Sequence, residues 1–232
     1  MRLRSTFLTA LALAALTATP SLAATKVPPK VSPKPKASVG LPLAKPLTWT
    51  DPAGDANALN NQGGLVPAGP NSTVTPGSRS ADDLLAVTMG RQDDGKAVTG
   101  LVVTMKLSGA PAAGALYRVT GAATGCTTFM FQYSWTVGGT AVASLRHNCA
   151  VAAGATPVTT TATVLIDGKV VDNSIVWTVP LAQLPTGVAL GTVLSPALGE
   201  VRLLSGAAGQ SAISAPVLDQ TEVQTGTYKI GD

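Results

Sequence analysis

Aromatic residues make up only 4 % of this 232-residue chain and charged residues 12 %, with one histidine and two cysteines. Each scarcity excludes something. One imidazole and two thiols do not complete a zinc site, which takes four ligands, or three and a water. Haem ligation needs an axial His or Met, and His147, Met89, Met105 and Met130 all sit in or beside strand-like patterns rather than in a haem motif. No Gly-x-Ser-x-Gly elbow is present, and the acidic residues form no recognisable glycosidase pair. No apolar run reaches the roughly 20 residues that span a bilayer. The expectation is a protein that is not an enzyme and has no membrane span, with a secreted hydrolase of scattered carboxylates as the alternative.

Positive charge is scarce where it would matter for nucleic acid. The chain carries 16 basic and 12 acidic residues, but Arg2 and Arg4 belong to the first few residues and Lys26, Lys30, Lys34, Lys36 and Lys45 to the segment 24–46. All the acids lie beyond residue 46, so the remainder is mildly acidic. Nucleic-acid binding relies on a clustered cationic surface, and no such partner is expected.

What is present begins with an export signal. Arg2 and Arg4 precede a largely apolar run over residues 7–17, Pro20 breaks it, and Ser21-Leu22-Ala23 places small residues where a signal peptidase reads. Residues 1–23 are expected to be a cleaved signal peptide. No Cys follows the cleavage point to carry a lipid. Residues 24–46 hold six prolines and five lysines, a composition that builds a semi-rigid disordered spacer. Its charges could rest on an anionic cell wall. Residues 47–232 form the domain, long enough to bury one core. The expected localisation is secreted or extracellular, with cell-wall association, in a bacterial-type setting. An oxidising compartment in turn predicts a disulfide between Cys126 and Cys149.

The domain reads as short strands and turns. Leu85, Val87 and Met89 alternate with smaller or polar residues, Asp93-Asp94-Gly95 is a turn, and residues 97–107 form the partner strand. Residues 116–119, 127–137 and 141–146 follow, with Phe129, Phe131, Tyr133, Trp135 and Val137 on one face. Residues 159–171 suggest a hairpin reversing at Asp167-Gly168, residues 174–179 a strand ended by Pro180, and residues 201–204 and 225–230 the last strands. The loop 57–80 is too rich in Gly, Pro and Asn for a strand, and only residues 181–184 and alanine-rich tracts suit a helix. The class is all-β, a single antiparallel β-sandwich of jelly-roll or immunoglobulin-like type.

Two groups of residues are candidates for a site. Asp51-Pro52-Ala53-Gly54-Asp55 is a tight loop that brings Asp51 and Asp55 together, with Asp83 at the mouth of the next strand. Hard oxygen donors of this kind suit Ca²⁺, and an Asx-turn is the simpler use of the same residues. Trp49 with Asp-Pro-x-Gly-Asp, followed by the Asp83–Thr88 strand and the Asp-Asp-Gly hairpin, resembles secreted jelly-roll modules of the DOMON and carbohydrate-binding-module-family-9-like group. The likeness covers residues 47–107. It implies a sandwich with a structural calcium near the first loop, held by Asp51, Asp55 and Asp83, and in some members sugar or haem binding. Ala56 stands where those motifs carry a further acid. Sugar binding would use exposed rings, for which Tyr133 and Trp135 are the candidates, although an apolar strand face more often lies in a core. Trp177 alternates with Ile175 and Val179 as a core residue does. The functional expectation is a secreted binding or structural module whose partner is a cell-wall polymer, a glycan or another surface protein. A calcium-stabilised carbohydrate-binding module is the alternative within that class.

Overall fold

The computed structural model describes residues 41–54, 58–59, 65–66, 80–151, 158–204 and 217–232. Residues 1–23, expected to be a signal peptide, and most of the expected spacer 24–46 therefore lie outside the described residues. Val39–Asp232 forms one compact unit by itself, and its architecture is two antiparallel sheets packed face to face.

Val/Thr/Leu-rich stretches with period-two alternation form the strands, because each residue pair then sends one side chain to the core and one outward. The smaller sheet contains β1 (Leu47–Thr50), β4 (Leu84–Asp93), β5 (Val98–Leu107), β10 (Asp167–Val171) and β11 (Ser174–Pro180), in the order β1-β4-β5-β11-β10. The larger contains β6 (Ala115–Ala123), β7 (Cys126–Trp135), β8 (Val142–Val151), β9 (Val158–Leu165), β12 (Val193–Leu203) and β13 (Val217–Gln220), in the order β13-β12-β6-β7-β8-β9, with β14 (Tyr228–Lys229) also on β12. Strands β6 to β9 are thus a meander in chain order. Two short strands, β2 (Ala58–Leu59) and β3 (Leu65–Val66), pair with each other. That ladder corrects the expectation that 57–80 holds no strand.

The β4–β5 turn follows from its residues. Asp94 Oδ1 accepts the N–H groups of Lys96 at 2.9 Å and Ala97 at 2.8 Å, and Gly95 takes φ 80°, open to a residue without Cβ. The reversal expected at Asp167-Gly168 is not there. The chain instead runs from β9 through Ile166 straight into β10, leaving the larger sheet for the smaller, and reverses at Asp172-Asn173, with Asp172 at φ 52°. Residues 181–184 supply only a 3-10 turn, Leu181–Gln183. In place of the expected 201–204 strand, β12 extends back to Val193 through Pro196, with a register shift between Pro196 and Leu198.

The core lies between the sheets. Val87, Leu101, Val103, Met105 and Ile175 face Val119, Phe131, Leu145 and Val201, all fully buried. Trp177 is buried at the centre, its ring 6.4 Å from Phe131. Its indole N–H donates to the Gln132 carbonyl of the opposite sheet at 3.0 Å, so the polar end of the ring is satisfied as burial requires. Asp219 on β13 accepts the Leu84 N–H of β4 at 2.6 Å, a second tie between the sheets. Cys126 and Cys149 sit opposite each other at the start of β7 and the end of β8 and form the disulfide. Among the described residues, no helix is long and apolar enough to cross a membrane.

Candidate functional site

The period-two rule that buries the aromatic side of β7 turns Thr128, Met130 and Gln132 to its other side. The antiparallel register then sets neighbours beside them. Arg118 of β6 lies opposite Gln132, Arg146 of β8 opposite Met130, and Asn148 opposite both Thr128 and Thr161 of β9. Residues paired in this way have Cβ atoms about 4.5–5.5 Å apart. Together they line a depression of about 340 Å³, to which His147 also contributes.

Charge on this face is unevenly compensated. Glu200 of β12 is 2 % exposed and lies between two guanidinium groups. Arg118 Nε donates to its Oε1, and Arg202 Nε donates to its Oε2 at 2.7 Å. A buried carboxylate needs such partners, because losing water without them costs several kcal/mol. Burial, and then the charge of Arg202, bring the Arg118 pKa down to about 10, so Arg118 remains cationic at neutral pH. The contacts of Arg118 with Glu200 run through Nε, leaving its terminal nitrogens without a protein acceptor among the described residues. Arg146 has no ion pair and no side-chain hydrogen bond among them. The described lining includes no carboxylate.

Two polar atoms beside the depression are orphaned. Asn148 Oδ1 and His147 Nδ1 are buried without a hydrogen-bond partner. Alternation along β8 puts His147 on the core side with Leu145 and Cys149, whereas Asn148 shares the outer side with Arg146. Burial pushes the His147 pKa below its ordinary value.

The residues singled out from sequence are placed elsewhere. Tyr133 and Trp135 face the core alongside Phe129 and Phe131. Tyr133 is 6 % exposed and Trp135 packs against the core cluster. Burial also pushes the Tyr133 phenol above its usual range. Trp49 and Tyr117 are buried as well. Of the calcium candidates, Asp51 and Asp83 come close to one turn. Both carboxyl oxygens of Asp83 accept the Gly54 N–H, at 3.0 and 2.9 Å, which closes the 51–54 loop. Asp55 lies outside the described residues. The neighbouring Asp82 accepts the Tyr117 hydroxyl at 2.6 Å. Among the described residues, no three His, Cys, Asp or Glu side chains are arranged to hold a metal ion. The outer-face set was not found from sequence. Reading every second residue of 128–132 gives its β7 members, but the registers that set Arg118 of β6 and Arg146 of β8 beside them are not written in any local pattern.

Compared with protein-family models, curated proteins and solved structures, the chain matches none.

Proposed function

We propose that this chain is an exported, non-catalytic binding module of the cell surface, and that it holds its ligand on the outer face of the larger sheet. Residues 1–23 serve as the leader and residues 24–46 as a cationic tether. The sandwich presents the ligand-contacting face. The observation that carries this reading is the depression across β6 to β9, where guanidinium, amide and hydroxyl groups from four strands converge. Side chains on rigid strands keep their geometry better than side chains on loops, and about 340 Å³ falls within the range of small-ligand sites. The disulfide supports the extracellular part of the reading, since such bonds persist where thiols are not kept reduced.

The test is retention on a panel of immobilised polysaccharides and cell-wall preparations, comparing the protein with its Thr161→Trp variant. Thr161 is exposed on β9, so the larger ring fills the depression without entering the core. Retention of the unsubstituted protein is expected to fall at least tenfold in the variant, in line with a blocked site, with an unchanged melting temperature. Equal retention of both proteins would place binding somewhere other than this face.

A further inference from the structure

We infer that the depression takes an acidic sugar unit of an anionic polysaccharide, with the sugar carboxylate on Arg146 and its hydroxyl groups on the surrounding amides and hydroxyls. The inference rests on the binding role proposed above and adds the chemistry of the ligand. Four observations lead to it.

The first is the charge of the lining: Arg118 and Arg146 contribute cations, and no described residue of the depression contributes an anion. The domain around it carries more acids than bases, so the patch is a local reversal of sign, and reversals of that kind favour anionic ligands. The second is the division of labour between the two arginines. Arg118 is anchored through Nε to the buried Glu200, which fixes its plane. Arg146 is left without an acid among the described residues, and its guanidinium offers a planar fork that matches a carboxylate.

The third observation is Asn148 Oδ1, buried with no donor. A buried acceptor left unmade is destabilising, and a sugar hydroxyl donating to it would recover that loss. The fourth is the remaining polar lining. Gln132, Thr128 and Thr161 bring further donors and acceptors but no charge, which suits a ligand with several hydroxyls and one ionised group. The volume is at the small end for ligand sites, about 300–1,000 Å³, which fits a single ring with its substituents. A carboxylate and several hydroxyls on one ring describe a uronate.

The experiment is calorimetric titration of the protein with polygalacturonate and with its fully methyl-esterified form, repeated with Arg146→Gln and Arg146→Lys. The lysine tether will attract any polyanion, but it is the same in every variant, so the ratio between variants reads the depression alone. Expected are binding of the acid form that weakens as salt rises, loss of at least roughly tenfold in affinity for Arg146→Gln, partial retention for Arg146→Lys, and weak binding of the ester. Equal affinity for acid and ester, or an Arg146→Gln variant that binds as the parent does, would overturn the inference. If Thr161→Trp still abolishes binding in that case, the outer-face reading survives and only its ionic part fails. Preference for poly(glycerol phosphate) or dextran sulfate over polygalacturonate would also overturn it, in favour of phosphate or sulfate on the same arginines.

Discussion

Single side chains in this protein do two kinds of work. Asp83, Asp82 and Asp219 are buried and spend their carboxyl oxygens on Gly54 N–H, Tyr117 hydroxyl and Leu84 N–H respectively, fastening the start of the domain to the sheets. Arg118 and Glu200 do the same for the outer face. His147 belongs to neither group, and it gives the molecule a pH response. Its Nδ1 is buried without a partner and burial lowers its pKa, so the unfolded chain takes up a proton at a higher pH than the folded one does. The unfolded state then binds more protons between the two pKa values, and stability rises with pH across that window. This contribution is fully present above the unfolded value, about 6.5, and is lost as pH falls through the lower, folded value. Asp94 also has a lowered pKa, set by the N–H groups of Ala97 and Lys96, a shift that moves it further from this window. Urea unfolding midpoints measured from pH 7.5 to 5 should therefore decline in the parent protein and stay flatter in His147→Gln. Parallel declines would show that another group is responsible.

At the scale of elements, one continuous stretch of chain, from β9 into β10, edges both sheets. The sequence suggested a hairpin there, since Asp-Gly is a strong reversal signal when it lies between two strands that pair. Here the flanking strands pair with different partners, β9 with β8 and β10 with β11, and Gly168 serves close packing instead. A Cβ at that position would sit on the Ala143 methyl of the other sheet and within 3.5 Å of the Trp177 ring. Gly168→Val is expected to destabilise the fold by about 1–3 kcal/mol through overpacking, read from denaturant unfolding with an unchanged m-value. A loss under 0.5 kcal/mol would mean that the corner is looser than this packing implies.

The β4–β5 hairpin and the aromatic strand β7 could be read from the sequence because their alternation and turn residues are local. The path of β12 could not, because Pro196 breaks the strand signal and a register shift accommodates it. The two-residue strands β2 and β3 are too short to show a period. The candidate site was the least legible part. Arg118, Arg146 and Asn148 come from strands β6 and β8, on either side of β7, and only the pairing registers bring them together. Of the calcium candidates, Asp83 acts as an acceptor for the Gly54 N–H, and Asp55 lies outside the described residues.

Over the whole molecule, charge is segregated: lysines concentrate in residues 24–46 and acids in the domain beyond. The inner face of the larger sheet closes the core around Trp177, and the outer one is the face proposed above to meet the ligand. Amide chemical-shift mapping during titration with an oligogalacturonate separates them most directly. Shifts should concentrate on Arg118, Gln132, Arg146, Asn148 and Thr161, with the smaller sheet unmoved. Shifts confined to the lysine segment, or centred on the 51–54 loop, would contradict a binding face on the larger sheet.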